Sequence, residues 1–282
     1  MSDLIIMVAP NGSRRDKRDH PRLPITPSEL AETALACQTA GASAIHLHVR
    51  DEIGRHSLSP VAYRRAISAI EATCGAGLVT QVTTEAVGQF DFPEQVELVE
   101  ALLPAAVSFS LAEMLRHGEA PAVDFVRWAG QVGTAIQFIL YSAGEVRLFA
   151  RLWRTPGTPI PERPVIIVVV GRYAETQESS VEEFDQLYAA LVETGLAEAS
   201  VWMTCAFGRG ELACVERSIA RGGHARVGFE NAIVNASGRP ARDNAERVAL
   251  VADLAAHYAR PLADANRCAQ LLGMRRVGAL LG

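Results

Sequence analysis

Two histidines, His46 and His48, stand two residues apart inside the apolar stretch Ile45-His46-Leu47-His48-Val49. Side chains of an extended strand alternate between faces, so both imidazoles point one way, about 7 Å apart along the strand. Leu47 and Val49 face away. Two neutral imidazoles converging on one point suit a borderline metal such as zinc. The alternative is a pair of polar histidines on the surface of an ordinary strand. Their apolar neighbours argue against it, because unpaired buried imidazoles are costly. A catalytic zinc takes a third protein ligand and keeps an open position, so the elements that converge on this strand decide what the pair can do.

The chain alternates strands and helices throughout. Leu4–Ala9 reads as a buried strand, followed by a loop carrying Arg14, Arg15, Lys17 and Arg18. Thr26-Pro27-Ser28-Glu29 has the form of a helix start, with an N-cap hydroxyl, proline at the first helical position and glutamate at the third. The histidine strand spans Ala44–Val49, and Ser59-Pro60 opens the next helix. Later strands are expected over Leu78–Thr83, Ala106–Phe109, Ala135–Leu140, Val165–Val170, Ser200–Thr204 and Ala225–Gly228. Helices fall between them, among them Asp124–Val132 and Asn244–Tyr258. Alternating βα units imply a parallel sheet. Eight such units imply an α/β fold of the (β/α)8 TIM-barrel type, built as a single domain over residues 1–282. A doubly wound open sheet is the competing architecture, weakened by the lack of GxGxxG after the first strand.

In a TIM barrel the chemistry gathers at the C-terminal ends of the strands. Those ends carry Asn11, His46 and His48, Thr83-Thr84-Glu85, Ser108 and Ser110, Tyr141, Arg172, Thr204, Arg209, and Arg226 with Glu230-Asn231. Glu230 is the third ligand that topology favours, because strands 2 and 8 both flank strand 1 in a closed barrel. Its competing role is a salt bridge to Arg226 or Arg209, since buried acids are usually paired. Cys205, past the seventh strand, reads as an inert buried thiol, and His224, before the eighth, as structural. The arginine cluster from Arg14 is either a solvated charge run or a contact for substrate carboxylate or phosphate.

Composition narrows the class. Hydrophobic residues are 49% of the chain and charged residues 21%, as in a soluble globular protein. A net charge of −5 gives no support for nucleic-acid binding. No apolar run approaches a membrane span. Five dispersed cysteines without a CxxC pair predict free thiols and a cytoplasmic location.

The chain resembles the β-keto acid cleavage enzymes. The resemblance runs through Leu23-Pro24-Ile25-Thr26-Pro27, Ala40-Gly41-Ala42, the His46-x-His48-x-Arg50-Asp51 segment with Gly54, Gly222-Gly223-His224-Ala225-Arg226-Val227-Gly228-Phe229-Glu230-Asn231, Asn244-Ala245 and Leu271-Leu272-Gly273. It implies a TIM barrel, usually tetrameric, with zinc held by His46, His48 and Glu230. It also implies a reaction in which a β-keto acid and acetyl-CoA give acetoacetate and a new CoA thioester, with zinc polarising the keto carbonyl.

The chain departs from that family at several strand ends. Where the family has an aspartate that resembles a catalytic base paired with the arginine at Arg226, this chain has Asn231, an amide that cannot take a proton. Thr-Gly near the end of strand 1 becomes Asn11-Gly12, and a glutamate two residues on becomes Arg14. Ser-Thr-Gly-Gly after strand 3 becomes Thr83-Thr84-Glu85-Ala86, and a glutamate is lost around Gln137–Ile139. One acid is gained, at Glu85. The expected catalytic groups are therefore Arg226, Glu85 and Thr83, with Arg14, Asn11, Ser108 and Asn231 as substrate contacts. Aldol cleavage, hydrolysis or a metal-holding protein without turnover are the competing functions.

Overall fold

The computed structural model describes residues 3–171 and 177–274. Arg172, one of the expected strand-end residues, lies outside them.

Eight parallel strands close into a barrel: β1 (Ile6–Val8), β2 (Ala44–Leu47), β3 (Val79–Thr83), β4 (Ala106–Ser110), β5 (Ala135–Leu140), β6 (Val165–Val170), β7 (Val201–Ala206) and β8 (His224–Val227). Closure places β1 between β2 and β8, with Met7 opposite both Ala44 and Arg226. The helices between strands are α1 (Pro27–Thr39), α2 (Pro60–Cys74), α3 (Phe92–Leu102), α4 (Glu119–Val132), α5 (Ala143–Arg154), α6 (Val181–Glu193), α7 (Glu211–Ala220) and α8 (Asn244–His257). The fold is the (β/α)8 barrel that the alternation implies.

Local chemistry sets the helix starts. Thr26 and Glu29 form a reciprocal capping box at α1, with Pro27 just inside it. The Ser59 side chain accepts from Ala62 N at the start of α2. Helix α4 begins at Glu119, five residues before the Asp124 expected from the sequence. Pro121 sits in its first turn, where a missing N–H costs nothing. The histidine strand also differs from expectation: β2 ends at Leu47, and Val49–Arg50 leaves the barrel to pair antiparallel with His56–Ser57. The hairpin carries the chain out over the mouth of the barrel.

Two apolar layers hold the structure. Outward-facing strand residues such as Ile45, Val107, Phe138, Ile166 and Val168 pack under the helices. Inside, Ile5, Met7, Val79, Ile167, Val201 and Met203 fill the barrel, and Cys268 and Leu271 of a short closing helix, α9 (Ala265–Leu271), join that cluster with Leu272 just past it. Ala263 N, two residues before this helix, donates to Leu4 O, which brings the helix in below the N-terminal end of β1. With that end filled, the open end is the C-terminal mouth.

Candidate active site

Glu230 is carried on the turn after β8, and that turn is hooked onto the end of β1. Glu230 N donates to Ala9 O at 3.0 Å. Asn244, at the start of α8, accepts from Phe229 N at 2.8 Å and donates to Pro10 O at 3.0 Å. The two chains approach so closely that a Cβ on Gly228, whose φ is +139°, would lie 2.4 Å from Ala9 O. Only glycine permits that approach. Below the turn, Glu211 and Arg247 form a fully buried ion pair, with Glu211 also accepting from Gly228 N at 3.4 Å.

On the neighbouring strand, Tyr63 of α2 donates its hydroxyl to Thr83 O at 3.0 Å and contacts Leu47 O at 3.4 Å. One phenol thus ties the ends of β2 and β3, which present His48 and Glu85. Glu85 is held through its backbone: its N–H donates to the Thr83 hydroxyl at 3.1 Å, and its carbonyl lies 2.8 Å from His56 Nε2. Arg50 grips the loop after β1, donating to Gly12 O at 2.6 Å and Arg15 O at 2.8 Å.

These supports bring His46, His48 and Glu230 together. Their ligand atoms lie within 4.8 Å of one another. His48 Nε2 is 3.1 Å and His46 Nε2 3.9 Å from Glu230 Oε2, and the imidazole centroids are 5.1 Å apart. Apart from the 3.1 Å approach of His48 Nε2 and Glu230 Oε2 to each other, both ring nitrogens of His48 and that carboxylate oxygen are buried without a hydrogen-bond partner. Buried polar atoms are seldom left unmatched, and two imidazoles and a carboxylate with converging lone pairs are a donor set for a divalent cation. The electrostatics agree. Burial and then the Arg226 charge push His46 down to about 3, so it is neutral at physiological pH. Burial opposes ionisation of Glu230, yet Arg226 and His48 outweigh it and hold the carboxyl well below its usual range. The three residues fit a metal ion.

The same cavity is lined by Thr83, Glu85, Ile139, Tyr141, Val169, Phe207 and Arg226. Glu85 Oε2 is 4.0 Å from His48 Nδ1. Arg226 is buried, with Nη2 at 3.1 Å from both Glu230 Oε1 and Cys205 Sγ. Glu230 is therefore paired with Arg226 through one oxygen, while its other oxygen faces the histidines and leaves the ligand role open to it. A second cavity lies across Glu230 and is lined by Asn11, Gly12, Ser13, Arg14, Arg15, Gln177 and Phe207. Asn11 and Arg14 thus sit beside the site rather than in it.

Ser108 and Asn231 line neither cavity. Ser108 is buried on β4, facing inward. Asn231 is fully buried, and its amide donates to Cys205 Sγ at 2.9 Å. An amide can reach that thiol where an aspartate would meet a sulfur with little to donate. Burial lifts Cys205 to about 11, against the pull of Arg226, which keeps it a thiol as expected. His224 is structural, accepting from Ile5 N at 3.0 Å at the base of the barrel. Gln81, Tyr63, His56 and Asn244 have supporting roles that sequence reasoning did not assign. The signal for Gln81 was present: a polar residue on the inward face of β3, two before Thr83.

Comparison with known proteins places this geometry. The sequence model of the β-keto acid cleavage enzymes matches residues 3–274. The chain belongs to that family. It is 26% identical to the 3-keto-5-aminohexanoate cleavage enzyme of Acetoanaerobium sticklandii, over 98% of this chain and all of that one. It is 28% identical to the 3-oxoadipate:acetyl-CoA acetyltransferase of Cupriavidus necator, over 96% and 94% of the two chains. Among solved structures, ObcA in a ternary complex with a C4-CoA adduct and oxalate superposes with a TM-score of 0.73 at 18% identity, covering 90% of this chain and 68% of that one. That likeness is one of fold. Members of the family are β-keto acid cleavage enzymes, and two curated relatives are named as transferases acting with acetyl-CoA.

Proposed function

We propose that this protein is a zinc-dependent β-keto acid cleavage enzyme, condensing a β-keto acid with acetyl-CoA to give acetoacetate and a new CoA thioester. The observation that carries the reading is the convergence of His46, His48 and Glu230, with unmatched buried lone pairs, on the cavity that holds Arg226 and Glu85. When bound there, zinc acts as a Lewis acid on the keto carbonyl.

In this reaction the C2–C3 bond of the keto acid breaks, C2 bonds to the acetyl carbon, and the CoA sulfur ends on the remaining acyl group. A group of this chain must take a proton from C2. Asn231 cannot, and its amide is committed to Cys205. Glu85 is the base in this reading, its backbone pinned by Thr83 and His56 and its carboxylate facing the cavity. Arg226 stabilises developing oxyanion charge. Arg14 and Asn11, in the second cavity, contact the CoA thioester or a substrate carboxylate. Ile139, Val169 and Phe207 give the wall facing the substrate an apolar character. The assembly proposed is a homotetramer, readable by light scattering.

The turned-away amide of Asn231 favours one second reading, another metal-assisted carbonyl reaction such as aldol cleavage or hydrolysis. One experiment separates them. Zinc-loaded protein is incubated with a panel of β-keto acids, with and without acetyl-CoA, and acetoacetate is measured. Acetoacetate formed only with acetyl-CoA supports the condensation. Product formed equally without CoA supports the second reading, and no turnover across the panel leaves a metal-holding protein.

A further inference from the structure

Four side chains form one hydrogen-bonded line across the barrel interior. His46 Nδ1 lies 2.8 Å from Gln81 Oε1. Gln81 Nε2 donates to Gln137 Oε1 at 3.1 Å, and Gln137 Nε2 donates to Met203 Sδ at 3.9 Å. His46, Gln81, Gln137 and Met203 are each at most 2% exposed, so no solvent competes for these contacts.

Each amide, taken alone, could be turned either way, and a neutral imidazole can carry its proton on either nitrogen. The far end of the line removes that freedom. A thioether accepts and cannot donate. Only with its NH2 toward Met203 does Gln137 make this last hydrogen bond, and its carbonyl then faces Gln81. Gln81 must then show its NH2 to Gln137 and its carbonyl to His46. A carbonyl at 2.8 Å requires a proton on Nδ1, which leaves the lone pair on Nε2, the nitrogen that faces Glu230 Oε2.

We propose that Gln81, its amide oriented by Gln137 and Met203, is a positioning residue that locks His46 in the Nδ1–H tautomer and so presents the Nε2 lone pair to the metal. A partner on the second nitrogen is the usual means of fixing a ligating imidazole. Here the direction of that partner originates from a methionine two residues before Cys205, on the wall of the barrel away from His46. The strand register explains the spacing: His46 pairs with Gln81 across β2 and β3, and Gln137 on β5 completes the crossing to β7.

The inference rests on His46 being a metal ligand, but its first readout does not. Long-range 1H–15N NMR of the metal-free protein at neutral pH reports which nitrogen of His46 is protonated. The expected result is protonated Nδ1 and bare Nε2 in the wild type. Gln81→Met preserves bulk, removes the acceptor, and populates both tautomers. Its zinc affinity, from competition with a chelator, falls about 10- to 100-fold, the usual effect of losing such a partner. Met203→Leu shifts both readouts the same way by a smaller factor. A wild-type His46 protonated on Nε2 overturns the proposal, even if Gln81→Met fails to fold. So does Gln81→Met that keeps a single Nδ1–H tautomer and an affinity within twofold. Wild-type protein with the Nδ1–H tautomer and no zinc uptake supports the lock and removes only the metal reading.

Discussion

Arg226→Lys tests whether the arginine acts in the reaction or only braces Glu230. The substitution keeps the charge and shortens the reach. Lysine Nζ falls where the guanidinium carbon now sits, one C–N bond, about 1.3 Å, short of Nη2. The 3.1 Å contact to Glu230 Oε1 would stretch to roughly 4.4 Å and cease to be a hydrogen bond. With an effective dielectric of about 20, attraction falls from about 5.4 to about 3.8 kcal/mol. That difference loosens the brace on Glu230 in the resting protein and is not itself a change in the barrier. Loss of a fixed donor beside the reacting oxygen carries the usual factor of about 100 to 1000. Turnover should therefore fall at least roughly a hundredfold while zinc stays bound. The assay is steady-state acetoacetate formation, with metal content measured on the same sample. Kinetics within threefold of wild type would refute the reasoning and return Arg226 to a structural role.

Four further outcomes are expected. His48→Ala should lose zinc to a chelator, because two protein ligands rarely retain it; full occupancy in a His46→Ala/His48→Ala double variant, by elemental analysis, would remove these residues from the site. Glu85→Gln keeps size and hydrogen bonding but not basicity, so a base role requires near-complete loss of turnover with zinc retained, whereas weakened zinc would make Glu85 a further ligand and full activity would discard both roles. Gly228→Ala places a methyl 2.4 Å from Ala9 O at φ +139° and should destabilise the fold by about 3 kcal/mol or more in urea unfolding; a change under about 1 kcal/mol would show that the β1–β8 junction yields easily. His224, pushed down to about 3 by burial and by Arg260, Arg163 and Arg267, stays neutral when folded and takes up a proton when unfolded. Its contribution to stability is complete above about pH 6.5 and drains away as pH falls toward 3, by roughly 1.4 kcal/mol per unit. His224→Gln, which can still accept from Ile5 N, should flatten that slope by about one proton, and an unchanged slope would mean that His224 is protonated in the folded state.

The barrel was legible because each piece of it is a local pattern. The capping box at Thr26, the β-branched run Val165–Val170 and the repeated strand–helix rhythm each act within one element. Eight such units have few ways to close. The candidate metal triad was legible for a related reason. His46 and His48 share one strand face, and closure of the barrel brings the turn after β8 beside β2 across β1. The family resemblance also drew attention to the amide at Asn231 and the acid at Glu85, among other strand-end positions.

Side-chain direction was not legible. Asn231, in the turn after β8, turns to Cys205 rather than to the cavity, and Ser108 on β4 lines neither cavity, because each side chain's direction is set by the neighbours that barrel closure brings against it. The line from Met203 through Gln137 and Gln81 to His46 joins residues 157 positions apart. Its polarity depends on a thioether that can only accept. The sequence determines which groups exist and which strand carries them. Which atom each one shows to its neighbour is decided only when the barrel closes, because hydrogen-bond direction in a buried network belongs to the whole line and not to any one residue.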